Sequence, residues 1–222
     1  MSIFLTIMLA GWIPALELAL DYTGMDLKEQ MIAQQKEEIN SLNKTIKNLH
    51  TNLESHEIQN IYFKIIFLRP NIKPDLAKNI ASHVYAYSRE NNIDSDLILS
   101  MIRVESYFDQ RAVSPTGARG LMQIMMSFWK DECEVNSKTI YDIEKNINCG
   151  ILVLNTYYQR YNDIYLALVA YNVGDSSVDF FLKHKKKIDY SYARMTKKFY
   201  KQLKSVQAPF PPEREQKDLL GF

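Results

Sequence analysis

The chain has 222 residues, 46% hydrophobic and 24% charged, a balance that supports a packed core and excludes wholesale disorder. Lys plus Arg number 27 against 26 for Asp plus Glu, a formal net charge of +1. That balance excludes a nucleic-acid partner, which calls for a strongly basic domain, and the length sets one principal domain with accessory segments.

The first segment, "MSIFLTIMLAGWIPALELAL", is apolar from Ile3 to Leu16 apart from Thr6, with Gly11 and Pro14 as interruptions. A run of about 14 residues suits the core of a signal peptide, whereas a full membrane span needs ~20. No Lys or Arg precedes Lys28 and no A-x-A site precedes Asp21. Residues 1–22 are therefore read as a signal peptide or signal anchor, with cleavage open, and a buried N-terminal helix as the alternative. Export to the periplasm or cell envelope, with or without inner-membrane anchoring, is the expectation.

After Gly24 the composition changes to Lys, Glu, Gln and Asn. Ile32, Ile39, Ile46 and Leu53 recur every seven residues, and Gln35, Leu42, Leu49 and His56 fall three places after each. Isoleucine at a with leucine at d is the pairing that favours parallel two-stranded coiled coils. Residues 26–60 are read as a coiled-coil-like helix that makes a homodimer, or else as one amphipathic helix lying on the rest of the chain.

Pro70 and Pro74 mark a boundary, and the chain beyond them reads as helical almost throughout. Pro74 opens a segment with Ala77, Ile80, Ala81, Val84 and Tyr87 on one face. The next begins at Asp94 or Ser95 as N-cap. Ile147, Ile151, Leu154, Tyr158 and Tyr161 follow at helical spacing. "DIYLALVAYNVG" is apolar nearly all round, as a central buried helix is, and stops at Asn172 and Gly174. Residues 70–205 are thus an all-α domain, and the proline-rich 206–222 a flexible tail. The run "KHKKK" at 183–187 is a solvated face. His50, His56, His83 and His184 lack ligand spacing and the cysteines form no C-x-x-C, so no metal or cofactor is read.

One carboxylate stands out. Ile98, Ile102 and Glu105 lie at i, i+4 and i+7, so Glu105 shares a face with core side chains. Burial disfavours its charged form and raises its pKa, which suits a proton donor near neutral pH. A structurally satisfied buried glutamate would give the same pattern. The loop that follows holds Pro115, Gly117 and Gly120, and its glycines would let the backbone approach a ligand.

Three motifs in order, "ES-x-F" at 105–108, "S-x-x-GA-x-GLMQI" at 114–124 and "AYN-x-G" at 170–174, resemble those of the soluble lytic transglycosylase family, within the goose-type lysozyme-like superfamily. The resemblance covers about 130 residues from near Asp75 to near Lys204 and omits the heptad segment. It implies an all-α lysozyme-like fold with a glycan groove and a peptidoglycan substrate, cut between N-acetylmuramic acid and N-acetylglucosamine to leave a 1,6-anhydro ring. By position it makes Glu105 the lone catalytic acid/base. Met122 and Gln123 would line the groove with Ser114 at its edge, and Tyr171 and Asn172 would lie near the cleavage point. Tyr192, with Tyr190 second, would be the tyrosine beside the glutamate. Family members commonly read "QIMP" where this chain has "QIMM", so Met126 replaces a proline that presets a helical turn.

Asp109 is the nearby candidate for a second carboxylate, the group an ordinary hydrolase uses as nucleophile or base. It keeps lysozyme-like hydrolysis as the runner-up, and a non-catalytic coiled-coil glycan-binding scaffold is the non-enzyme alternative. Specialised members of the family serve secretion, conjugation or phage machinery, and a small domain with an accessory helix fits that class. Cys133 and Cys149 close a loop of about 16 residues; in an exported chain they are expected to form a disulfide.

Overall fold

The computed structural model describes residues 2–206, with side chains described from Asp26 onward. The apolar character of residues 1–22 and the tail from 207 therefore lie outside the described side chains. The chain divides into two compact units, Met1–Glu54 and Ser55–Phe222.

The first unit is helical, the leading part of α1 (Ser2–Leu68). Along it Leu27, Ile32, Ile39, Leu42, Ile46, Leu49 and Leu53 are 41–60% exposed. The heptad seam is therefore an apolar stripe open to solvent in the single chain. Among the described residues no helix is long and apolar enough to cross a membrane.

The second unit is built from the end of α1 and seven further helices: α2 (Pro74–Glu90), α3 (Ser95–Glu105), α4 (Met126–Trp129), α5 (Ile143–Tyr161), α6 (Ile164–Val173), α7 (Asp175–Lys183) and α8 (Ser191–Ser205). Among the described residues there is no strand, only isolated antiparallel bridges joining Val113 to Arg119 and Arg119 to Ile124. The packed unit starts earlier than Pro70. Ile61, Ile65 and Leu68 of α1 are core residues, and their i, i+4, i+7 spacing continues a buried face up to the helix end.

Local chemistry starts and stops the helices. Pro74 occupies the first turn of α2, where its missing N–H costs nothing. Asp94 caps α3 by accepting from the Asp96 amide, Asp142 caps α5 through Lys145, and Asp163 caps α6 through Tyr165 and Leu166. Ala167, Leu168, Val169 and Ala170 of α6 are buried in succession, which places that helix at the centre. On α5, Ile147, Ile151 and Leu154 are buried, but Tyr157 takes the inward position while Tyr158 is 44% exposed. Helices α3 and α8 pack together, as do α5 and α6, so the end of α3 faces the start of α8.

The short helix α4 forms without the proline, from an extended Met125 that offers no side-chain cap. The lysine run is the solvated face expected, exposed throughout 183–187, with Lys183 closing α7.

Candidate active site

Glu105 is the last residue of α3. The chain then turns through two bulky residues in the left-handed region, Tyr107 at φ 54° and Phe108 at φ 62°. Such positions cost about 1–2 kcal/mol per residue. Phe108 is fully buried, and that burial helps to hold the turn.

The loop from 112 to 124 folds back on itself. The Gly120 amide donates to Ala112 O at 2.9 Å, and Arg119 and Ile124 exchange two backbone bonds of 3.1 and 2.9 Å. Its anchor is Asn146, a buried residue of α5. The Asn146 Oδ1 accepts from the Met122 amide at 2.8 Å, and its Nδ2 donates to Arg119 O at 3.0 Å and to Ile140 O at 2.8 Å. Gly120, at φ 81°, lets this amide in: a Cβ there would lie 2.2 Å from Asn146 Nδ2. The close approach that the glycine permits is thus to a side chain of the protein itself. A Cβ at Gly150 would meet Met122 Sδ at 2.3 Å.

These contacts redefine several site candidates. Met122 is fully buried against Gly150, so its side chain is core and does not line an open groove. Its backbone oxygen instead accepts the Tyr171 hydroxyl at 2.8 Å. Gln123, at φ 51°, donates through Nε2 to Gly120 O at 2.9 Å and Ala112 O at 3.2 Å, stapling the loop. Ser114 Oγ accepts from the Ala118 amide at 3.0 Å and pairs with Thr116 Oγ1. Asn172 is exposed beside Tyr171, and Tyr190 precedes α8 half-buried.

Tyr192, not Tyr190, reaches the glutamate: its hydroxyl donates to Glu105 Oε1 at 2.6 Å. The Tyr192 ring stacks on Tyr171, centroids 6.4 Å apart and planes 13° apart. Glu105, Tyr192, Tyr171 and the Met122 carbonyl thus form one connected group. Asp109 stands apart, exposed, accepting from the Arg111 amide through its own carboxylate.

The electrostatics follow from burial. Desolvation lifts the Glu105 carboxyl from 4.5 to about 7, against the opposing pull of the Tyr192 hydrogen bond. Tyr192 and Tyr171 are pushed well above 10 by burial and by the neighbouring Glu105 charge, so both stay protonated donors. The group can hold a transferable proton at neutral pH, give it up and take it back. Among the described residues no cluster of three or more His, Cys, Asp or Glu side chains could hold a metal ion. A separate cleft bounded by Asn60, Lys64, Tyr85, Arg89 and Asp94 includes none of these residues.

Cys133 and Cys149 are bonded, with Cα atoms 5.2 Å apart. The bond ties the segment after α4 to α5, the helix that carries Asn146. Asn146 itself is missed by motif reading. Its signal was a lone amide between Ile143 and Ile147 on a helix face that is otherwise apolar.

The family model for the transglycosylase SLT domain matches residues 82–194, a stretch that holds Glu105, the anchored loop, Tyr171 and Tyr192. A transglycosylase of Enterobacteria phage PRD1 is 34% identical over 100 residues, 45% of this chain and 37% of that protein. The membrane-bound lytic murein transglycosylase C of Klebsiella pneumoniae is 32% identical over 152 residues, 59% of this chain and 41% of the relative. The chain thus spans about two-fifths of the length of these two relatives. Among solved structures, the 70-kDa soluble lytic transglycosylase in complex with bulgecin A superposes with a TM-score of 0.50 at 18% identity, covering 69% of this chain and 31% of that one. The fold is shared.

Proposed function

Since the chain belongs to the transglycosylase SLT domain family, we propose that it is a lytic transglycosylase acting on peptidoglycan through Glu105. It would cut the β-1,4 bond between N-acetylmuramic acid and N-acetylglucosamine and leave 1,6-anhydromuramic ends. The observation that carries this reading is the desolvated carboxyl of Glu105, titrating at about 7 and held by Tyr192, while Asp109 lies exposed with its carboxylate on a backbone amide.

In the first step the Glu105 proton passes to the glycosidic oxygen as the bond from that oxygen to C1 of the muramic residue breaks. The acetamido oxygen of the substrate stabilises the positive charge at C1, a task a second carboxylate performs in ordinary glycosidases. In the second step the substrate 6-hydroxyl attacks C1 and Glu105, now a carboxylate, accepts its proton. The 6-oxygen closes the anhydro ring, no water is consumed, and Glu105 ends as it began. A pKa near 7 serves both halves, because a group that must donate and then accept works best near the ambient pH. Ser114 and Asn172 belong to the substrate side of this reading. Gln123 and Met122 act by shaping the loop.

The same reading places the chain in the cell envelope, supported by relatives named as membrane-bound murein transglycosylases and by the apolar residues 3–16. Service to a secretion, conjugation or phage machine is supported by the small catalytic unit and by the phage relative. A parallel homodimer through residues 26–60 is supported by the exposed a and d stripe.

Mass spectrometry of products from purified peptidoglycan tests the chemistry. Anhydro muropeptides, one water lighter than hydrolysis products, are expected. Ordinary reducing ends, together with loss of activity in Asp109→Asn, would establish a hydrolase instead.

A further inference from the structure

Glu105 sits at the end of its helix, where chains fray most readily. One stretch of chain grips α3 at both ends. At its first turn, Lys64 of α1 pairs with Asp96 Oδ1 at 2.7 Å, Asp96 being 1% exposed, and Lys204 of α8 lies 3.1 Å from the other carboxylate oxygen. Beyond its last residue, Arg69, which directly follows α1, donates from Nη1 to Tyr107 O at 3.0 Å. The Arg69 guanidinium also lies 5.3 Å from the centre of the Tyr107 ring, and that of Arg103 lies 3.9 Å from the same ring and 4.8 Å from Phe199. Between these grips, Ile65 and Leu68 are core residues.

Tyr107 is one of the two left-handed residues after Glu105. A non-glycine residue keeps such a conformation only where its surroundings over-determine it. The Arg69 bond to the Tyr107 carbonyl and the two guanidiniums at its ring supply that constraint. Neither Arg69 nor Arg103 has an ion-pair partner among the described residues, so they are committed to this turn rather than to an acid. Their charge is also not what sets the Glu105 carboxyl, which is governed by burial and Tyr192. What they supply is geometry.

We infer that the last turns of α1, with Arg69, form a splint that positions Glu105, Arg69 being a positioning residue for the reaction. The end of the heptad helix is then a working part of the catalytic unit. The inference rests on Glu105 being the catalytic acid. If the splint is removed, the turn at 106–108 relaxes, the carboxyl swings toward water, and the desolvation that raises its pKa is lost.

The test compares full-length wild type, Arg69→Ala, Arg69→Lys and Glu105→Gln on solubilised glycan strands, with pH profiles and thermal melts. Arg69→Ala should lose about 10- to 100-fold in kcat with KM within about twofold, the scale of a misplaced catalytic group. Its alkaline limb should also move to lower pH by about one unit. Arg69→Lys keeps a donor for the carbonyl with less ring contact, so it should recover part of both effects; it carries the test if the alanine variant does not fold. A lower melting temperature with wild-type kcat and an unmoved alkaline limb would overturn the splint. An active Glu105→Gln would instead remove the catalytic reading on which it stands, and the two failures are thereby distinguished.

Discussion

Replacing Glu105 by Gln should change stability in a pH-dependent way that follows from its environment. The native carboxyl titrates at about 7 against 4.5 when solvated, so between those values the folded chain binds more protons than the unfolded chain. Stability must then fall as pH rises from about 4.5 through 7. A difference of about 2.5 pH units amounts to about 3 kcal/mol at pH 8 and almost nothing at pH 4. Glutamine keeps the oxygen that accepts from Tyr192 and has nothing to ionise. Its desolvation cost is the same at every pH. The stability of the variant minus that of wild type should therefore grow by about 3 kcal/mol between pH 4 and pH 8, or about 6–12 °C in melting temperature at about 2–4 °C per kcal/mol for a unit of this size. Urea titrations at pH 4, 6 and 8 measure it directly. A pH-independent difference would show that the carboxyl is well solvated, and the case for Glu105 as an acid at neutral pH would collapse.

The same Glu105→Gln variant should lose at least about 10²-fold in activity while still binding glycan, and Asp109→Asn should stay near wild type. Tyr192→Phe deletes the hydrogen bond that lowers the Glu105 pKa, so the alkaline limb of the pH–rate profile should move upward, with a fall in rate; an unmoved limb would place the Tyr192 bond outside the working site. Reducing the bond between Cys133 and Cys149, which lie 16 apart in sequence, should cost about 3 kcal/mol on the chain-entropy model, read as an earlier urea midpoint with dithiothreitol. Ile39→Asp or Ile46→Asp should convert a dimer to monomers by sedimentation; a wild-type monomer at high micromolar concentration would leave the stripe without that role.

The legible part of this molecule was the part governed by periodicity and caps. Pro74, Asp94 and the apolar run of α6 each announced an element that the structure contains. Glu105 was legible because its spacing from Ile98 and Ile102 put a charge on a buried face, and burial alone sets the sign of its pKa shift. Met122 was not, because a motif says which residues recur but not which atom acts. Its side chain is core, and the carbonyl that binds Tyr171 looks the same for any residue type. Nor could spacing show that Arg69, 36 positions before Glu105, meets the turn after it, since that contact depends on how α1 ends against α3.

The departure from the family's proline at Met126 shows how this loop tolerates change. Proline would fix one backbone angle at the start of α4, but the position of Gln123 and Met122 is set upstream. Asn146 makes three bonds to Arg119, Met122 and Ile140, and the Arg119 to Ile124 bridge closes the loop before α4 begins. Buried amides bonded on every side are costly to remove, about 1–3 kcal/mol for each group left unsatisfied. Met126 therefore sits downstream of a closed and anchored unit, with its sulfur 3.8 Å from Arg119 Nη1. The consequence is a ranking. Asn146→Ala should strip the loop of its anchor, free the Met122 carbonyl from its place beneath Tyr171, and lower both activity and the melting temperature. Met126→Pro should leave activity within about twofold, because it stiffens a turn that already forms. Equal damage from the two substitutions, measured as product release and thermal melts on the full chain, would mean that the turn of α4 and not the Asn146 anchor holds the site together.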